Sequence, residues 1–538
     1  LAGALREGAQ AGAAAAAACG CEGGRAVDLP QVAEEIEQAL LPLWRAPGPW
    51  APGRGPKAFV DLQNDVSVAD IFLAAREGYE SIEHVKRYTA LGFGTDQGKL
   101  GNINGMAILA EALGQPIAAT GTTTFRPNYT PVTFGALAGA DLGDFFEPNR
   151  KTALHGWHAE HGAQFEDVGQ WKRPWYYPAA GESMHDAVRR ECIAARNAVG
   201  IFDASTLGKI DIQGPDAVNL LNWVYSNGWS NLAIGRCRYG LMLGEDGMVI
   251  DDGVTTHLSE HHFLMTTTTG GASRVFAWME RWLQTEWPHM QVYLTSVSDQ
   301  WATIAVAGPK SRAVLQQVCT DVDLTGAAFP FMSSRNGTVA GTPARIARIS
   351  FSGELAYEVN VPADYARHVW EALMEAGRPH RITPYGTEAM HVLRAEKGYI
   401  IVGQDTDGSV TPIDLGMAAM VNKTKDCIGQ RSLARADTAR PDRKQLVGLL
   451  AEDLLRVLPE GGQIIASASG KDAQCSLGHV TSSYFSSALG RSIALALVQR
   501  GRQRMGERLL IAHHQGAPIP VTITSPVFYD PEGARQRD

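Results

Sequence analysis

Two adjacent carboxylates, Asp251 and Asp252, close the run Gly235-Arg-Cys-Arg-Tyr-Gly-Leu-Met-Leu-Gly-Glu-Asp-Gly-Met-Val-Ile-Asp-Asp-Gly-Val254. Their position in it predicts different surroundings for each. Glu245-Asp246-Gly247 is a tight-turn signal between apolar runs, so Leu241–Leu243 and Met248–Thr256 are expected to pair as antiparallel strands. Side chains alternate along a strand, which groups Met248, Ile250, Asp252 and Val254 on one face and leaves Asp251 on the other. Asp252 is then a carboxylate among apolar neighbours, costly to bury unless a partner or ligand satisfies it. Such a carboxylate can oppose a positive charge that develops during reaction, or move a proton. A core aspartate bonded to backbone amides is the competing reading, and this run does not separate the two.

Other chemistry-bearing residues are less pointed. His155, His158 and His161 recur every third residue and would share a helix face, but no cysteine or acidic cluster joins them, and no metal site is expected. Seven cysteines, odd in number and without a CxxC pair, predict reduced thiols and a cytoplasmic compartment. Cys19-Gly-Cys21 is too closely spaced for zinc and reads as structural. A net charge of −9 argues against nucleic-acid and anionic-membrane partners. No run reaches the ~18 apolar residues of a membrane span.

The positioning elements follow from periodicity and punctuation. Leu1–Leu43 reads as two helices, the second over Pro30–Leu41. Four prolines and three glycines between Ala46 and Pro56 make a linker. A short strand is expected at Ala58–Leu62, one or two packed helices over Ser67–Leu91, another helix at Met106–Leu113, and an extended exit near Thr120–Thr124. These helices show no obvious large partner core. From about Pro131 strands and helices alternate. Helices are predicted at His185–Asn197, Asp216–Tyr225, Ser273–Glu286, Arg312–Val318, Asp364–Glu375 and Thr387–Lys397. Strands are predicted at Lys209–Gln213, Ala302–Ala307, Arg345–Ser350 and Glu358–Val361. From about Gln445 six short strands and no helices predict a small antiparallel barrel. The expected boundaries are 1–45, 46–56, 57–130, 131–440 and 441–538.

Several segments, in order, resemble the folate-binding aminomethyltransferase family, whose type member is the T-protein of the glycine cleavage system. They are His161-Gly-Ala-Gln-Phe-Glu-Asp-Val-Gly-Gln-Trp171, Gly200-Ile-Phe-Asp-Ala-Ser205, Gly214-Pro215, Asp252 in its hairpin, and Ala307-Gly-Pro309. Phe351-Ser-Gly-Glu354, Tyr357-Glu358, Leu393-Arg-Ala-Glu396, Gly403-Gln-Asp405, Ile428-Gly429 and Leu489-Gly-Arg-Ser-Ile-Ala-Leu-Ala496 continue the series. Further stretches resemble the large (alpha) subunits of heterotetrameric sarcosine oxidases: Arg236-Cys-Arg-Tyr-Gly-Leu-Met-Leu243, Phe263-Leu-Met-Thr-Thr-Thr-Thr-Gly270, Gln300-Trp-Ala-Thr-Ile304, Val85-Lys-Arg-Tyr88 and Gly92-Phe-Gly-Thr-Asp-Gln-Gly98.

The resemblance implies an α+β fold: a helical module, aminomethyltransferase-like folate-binding α/β domains, and a carboxy-terminal antiparallel β-barrel. It implies that residues 1–45 are the tail of a dinucleotide-binding domain that would hold NAD, and that partner beta, gamma and delta subunits accompany the chain. FAD and FMN would then serve in the flavin chemistry, with a flavin in the beta subunit close to the 57–130 module. It assigns Asp252 the catalytic role, and Tyr239, Thr266, Phe351, Glu358 and Arg394 contacts to tetrahydrofolate. In that scheme Glu358 accepts N–H bonds from the aminopyrimidine ring and Arg394 pairs with the anionic tail, although Arg394 and Glu396 also read as a surface pair. The T-protein pattern has Tyr at Phe351 and Asn near Thr266, so the hydrogen bonding there differs. The implied activity is oxidative demethylation of sarcosine, a small-molecule substrate, to glycine with H2O2, the one-carbon unit passing to tetrahydrofolate. A free-standing aminomethyltransferase and a non-catalytic folate-binding scaffold are the alternatives.

Overall fold

The computed structural model describes residues 2–21, 27–31, 42–51, 53–126, 129–139, 148–467, 475–512 and 516–537. The chain divides into two compact units, residues 1–146 and 147–538.

In the first unit, α1 (Ala2–Ala18) buries none of its side chains. Most of the expected helix Pro30–Leu41 lies outside the described residues. The described residues between Ala46 and Pro56 form no helix or strand, as their prolines require. β1 (Phe59–Asp61) pairs with β2 (Val66–Ser67), followed by α2 (Val68–Arg76), α3 (Ile82–Thr89), α4 (Asn102–Leu113) and α5 (Phe134–Ala138). Ser67 and Asp70 form a capping box that starts α2. The segment does possess its own core: Ile71, Ile82, Val85, Leu91, Ile108 and Leu109 are fully buried.

The second unit opens with α6 (His155–Glu160) and the hairpin β3 (Gln164–Val168)–β4 (Trp171–Tyr176). Next come α7 (Met184–Asn197), β5 (Gly200–Asp203), β6 (Gly208–Gln213), α8 (Ala217–Val224), β7 (Cys237–Leu243), β8 (Val249–Ser259), β9 (His262–Thr267) and α9 (Ala272–Thr285). The series continues with β10 (Tyr293–Ser296), β11 (Trp301–Ala307), α10 (Ser311–Val318), β12 (Ser333–Val339), β13 (Thr342–Arg348), β14 (Ala356–Pro362) and α11 (Ala366–Gly377). Then follow β15 (Thr383–Pro384), α12 (Thr387–Glu396), β16 (Lys444–Ala451), β17 (Gln463–Ile465), β18 (Gly478–Ser486), β19 (Arg491–Gln499), β20 (Arg508–Ile511), β21 (Ile519–Thr524) and α13 (Ala534–Arg537).

These strands make a five-stranded sheet (order β10-β6-β9-β8-β7), a six-stranded sheet (β12-β13-β14-β11-β5-β15) and a closed barrel (β16-β19-β18-β17-β20-β21). Helices α8 and α9 cover one face of the first sheet through Leu220, Leu221, Val275 and Met279. Helices α10 and α11 cover one face of the second through Val314, Leu315, Trp370 and Leu373. The opposite faces meet at Cys237 and Val254 from one sheet and Ala347 and Ile349 from the β13 side of the other, while the barrel packs on Leu241, Leu243 and Val249 and helices α7 and α12 pack on Phe202.

The barrel closes over Val447, Ile464, Val480, Val498, Ile511 and Val521, the β-branched residues that favour strands. Helix α12 packs on α7, β4 and β18 and buries seven of its ten residues. A helix so enclosed has no polar face to spare, and the charged residues on it must find partners inside.

Candidate functional site

The hairpin forms as expected, with Gly247 at φ 85° in its turn, a conformation that side chains disfavour. The register then shifts: Met242 pairs with Asp251, but Leu243 pairs with Val249, so β8 carries one extra residue, Ile250. Asp252 and Val254 keep the facing expected of them. Ile250 does not; it packs with the α8–α9 core, and Val249 takes the side of Asp252, alongside Leu241 and Leu243. Strict alternation counted from the turn fails at that residue.

Each aspartate realises one of the two competing readings. Asp251 is fully buried and its carboxylate accepts the N–H of Asp252 (2.8 Å), the N–H of Thr268 (3.0 Å) and the hydroxyl of Thr268 (3.0 Å). It is the structural, amide-bonded carboxylate. Asp252 points the other way and stays accessible at one edge. Its one side-chain donor among the described residues is the Tyr239 hydroxyl, at 2.6 Å. Burial pushes the Asp252 carboxyl up to about 7; the Asp251 charge adds to this and the Tyr239 bond opposes it. Burial, then the Asp252 charge, pushes the Tyr239 phenol well up in turn, which keeps it a donor.

Glu358 lies on β14 with Ala305 and Ala347 opposite it on the neighbouring strands. Ala347 belongs to the cluster that contains Cys237 and Val254, so Glu358 faces the first sheet. Its carboxylate accepts no hydrogen bond among the described residues, and burial pushes it up to about 7 against the pull of Lys209. Lys209, on β6 and 1% exposed, donates to the carbonyls of Ser205 (2.9 Å) and Leu207 (3.2 Å). Burial lowers it to about 8. The structure thus joins Tyr239 to Asp252 and places Glu358 on the sheet face that meets theirs.

The other expected contacts behave differently. Thr266 spends its hydroxyl proton on the Val254 carbonyl (2.9 Å) and accepts the Val254 N–H (3.0 Å), cross-linking β8 to β9. Phe351 is exposed and its ring stacks on Tyr399, centroids 6.2 Å apart. Arg394 requires a correction. It is fully buried and bonds Asp405, Ser482, Gln404 and the Tyr399 carbonyl, so it presents nothing to a folate tail. Nor does it pair with Glu396, which is also fully buried and holds Arg196 and Ser486. The histidines serve packing: His158 bridges Asp203 (3.2 Å) and the Tyr177 hydroxyl (2.9 Å), and His161 stacks on Trp157. Among the described residues no group of three His, Cys, Asp or Glu side chains is placed to hold a metal.

Lys209 escaped the sequence reading for a physical reason. Lys209, Asp211 and Gln213 alternate with Ile210 and Ile212, the pattern of a strand with one solvated face. On that face Lys209 is instead enclosed, while Gln213 at the strand's end is exposed.

The Asp252 carboxyl ordinarily titrates near 3.8 and here near 7, so its contribution to stability is intact below about pH 4 and is lost as pH rises through 7. Asp252→Asn is therefore expected to melt higher than wild type at pH 8, by on the order of 1–3 kcal/mol allowing for its solvated edge, and to match it at pH 4. Equal melting at both pH values would remove the burial assigned to this carboxylate.

Comparison with known proteins accords with this arrangement. Residues 154–425 match the GCVT N-terminal domain, residues 444–530 the glycine cleavage T-protein C-terminal barrel domain, and residues 55–140 the sarcosine oxidase A3 domain. The chain is 50% identical to the sarcosine oxidase subunit alpha of Corynebacterium sp. (strain P-1), over 99% of this chain and 55% of that relative. It is 31% identical to the aminomethyltransferase of Thermotoga maritima, over 71% of this chain and 98% of the relative. The crystal structure of the glycine cleavage system aminomethyltransferase T from Bartonella henselae superposes with a TM-score of 0.62 at 25% identity, covering 71% of this chain and 98% of that one. The chain spans about half the length of the sarcosine oxidase alpha subunits it matches. It belongs to the glycine cleavage T-protein family, with a sarcosine oxidase A3 domain ahead of the T-protein fold.

Proposed function

We propose that the gap between the two sheets takes tetrahydrofolate as a substrate, and that Asp252 assists transfer of a one-carbon unit to it within an assembly that oxidises sarcosine to glycine. One observation carries this: an accessible carboxylate raised to about 7 and bonded by Tyr239 lies on a sheet face that meets the face of a second carboxylate, Glu358, which no donor among the described residues satisfies. Val254, Ala347 and Ile349 pack together beside these groups, an apolar border where the two sheets meet. Glu358 suits the paired N–H donors of an aminopyrimidine.

The one-carbon unit arrives as an imine or as formaldehyde, both electrophilic. A folate nitrogen adds to that carbon and must lose a proton, and a cationic iminium forms on the way. Asp252, near neutrality, takes the proton when ionised and opposes the cation, the two roles a carboxylate here can fill. The balanced overall reaction is sarcosine, O2 and tetrahydrofolate to glycine, H2O2 and 5,10-methylenetetrahydrofolate. FAD and FMN in the flavin chemistry, NAD in the part of the relatives that this chain does not span, and beta, gamma and delta partner subunits belong to the same proposal. Seven unpaired cysteines support a cytoplasmic setting; among the described residues no helix is long and apolar enough to cross a membrane. The A3 match over residues 55–140 favours this reading over a free-standing aminomethyltransferase.

The test is product partition in the assembled full-length complex, with dimedone present to trap formaldehyde that escapes. Channelled transfer yields methylenetetrahydrofolate despite the trap; yield that collapses to the uncatalysed level with dimedone sinks the proposal. Tyr239→Phe removes the side-chain donor to Asp252, so its pKa is expected to climb and the pH of half-maximal transfer to move up by about 0.5–1 pH unit. A pH–rate profile that does not move would separate Tyr239 from the chemistry.

A further inference from the structure

The residues the mechanism leaves unused include a buried cation without a hydrogen-bond partner among the described residues. Arg173, on β4, is 8% exposed, yet its guanidinium makes no hydrogen bond or ion pair to protein among the described residues, and its Nε is sealed from solvent without an acceptor. Other buried arginines of this unit have acceptors on their guanidinium: Arg196 holds two carboxylates and two carbonyls, and the terminal nitrogens of Arg394 a carboxylate, a hydroxyl, an amide and a carbonyl, although its Nε too lacks an acceptor. A lone buried charge is expensive, and a fold rarely keeps one unless something outside the chain completes it.

Its position is specific. The guanidinium carbon lies 5.6 Å from the centre of the Phe202 ring. Phe202 sits opposite Ala305, and Ala305 opposite Glu358, so the three form one row across β5, β11 and β14 on one sheet face, whose Phe202 end is covered by α7 and α12. Arg173 stands at the Phe202 end of that row, and Phe202 and Glu358 are two strand spacings, roughly 10 Å, apart. The charges around Arg173 are Glu166 on the paired strand β3 and Asp203, which act on it only through space, and His391 of α12, which feels its field. Asp203 is already committed to His158, Thr152 and the Ser205 amide.

We propose that Arg173 is the carboxylate anchor of this gap, donating a forked pair of N–H bonds to an anionic group of the ligand whose donor-rich head is held by Glu358. A planar guanidinium with its donors free matches a carboxylate in shape as well as charge. The inference rests on the folate reading above and gives it a second fixed point. Two sources supply such a carboxylate: the glutamate tail of the folate, or the amino acid that delivers the one-carbon unit.

The assembled full-length complex tests this with 5-formyltetrahydrofolate, which has the tail, and 5-formyl-6-methyltetrahydropterin, which lacks it. R173M is expected to weaken the tailed compound by about 10- to 100-fold and to leave the tail-less one unchanged. Where R173M does not assemble, R173K keeps the charge without the fork and is expected to lose about tenfold for the tailed compound alone. A variant that binds both compounds as wild type does, but transfers less from sarcosine than from added formaldehyde, assigns the anchor to the amino acid's carboxylate. Unchanged binding and unchanged transfer from both donors overturn the anchor while leaving the folate reading standing. Failure of wild type to bind either compound overturns the folate reading and the anchor with it.

Discussion

Asp252→Ala is expected to lower transfer of the one-carbon unit to tetrahydrofolate by about 10²–10⁴-fold, with sarcosine-dependent peroxide release held near the wild-type level. The size follows from what is lost together: the base, the counter-charge to the iminium, and the acceptor that holds Tyr239. Asp252→Asn divides these roles, since it keeps the shape and an acceptor oxygen but neither charge nor proton affinity. A trapped-formaldehyde assay on both variants gives the answer. Loss in Ala with near-wild-type transfer in Asn would reduce Asp252 to a spacer. Loss of peroxide release in step with transfer would place the residue in a different reaction.

Arg196→Met is expected to cost about 3–5 kcal/mol of stability. Arg196 is 3% exposed and bonds Glu396 and Glu354, tying α7 to α12 and to the loop after β13. Glu354 is held a second time by Arg535 near the far end of the chain, and Glu396 a second time by the Ser486 hydroxyl of the barrel. Removing the central guanidinium leaves Glu396 buried and charged with one hydroxyl for company. The check is the urea midpoint of the transition that reports on α7 and α12. A loss below about 1 kcal/mol, the range of an exposed ion pair, would show that the cluster is solvated.

Much of the second unit was legible because its signals are local. Six helices follow their apolar periods, the Glu245–Gly247 turn fixes the hairpin, and the barrel strands announce themselves as short apolar runs with no helix between them. Strand parity alone separates Asp252 from Asp251, and its partner Tyr239 lies on the adjoining strand of the same hairpin. The failures are long-range. Arg394 and Glu396 are spaced like a helix-surface pair, and nothing nearby signals that they are enclosed; their partners Ser482 and Ser486 lie about ninety residues on, in the barrel. The polar face of β6 reads as solvated because alternation reports that one face is polar, not what lies opposite it. The extra residue in β8 leaves no mark at all, since Ile250 suits either side of a sheet. Arg173 is invisible for the same reason: one arginine in Trp-Lys-Arg-Pro-Trp looks like any other until the strand is seen to be covered.

Gly253 bears on how this strand can change. A methyl group there would fall 1.9 Å from the Thr266 carbonyl, so the backbone of β8 is clamped to β9 at that residue. The rotation of Asp252 is set by its neighbour in the clamp, and slack between turn and clamp is taken up by Ile250. Loop grafting at residues 244–248 should therefore tolerate hairpins of other lengths without turning the carboxylate around, whereas a single residue spliced in between Asp252 and Gly253 would swing it to the opposite side.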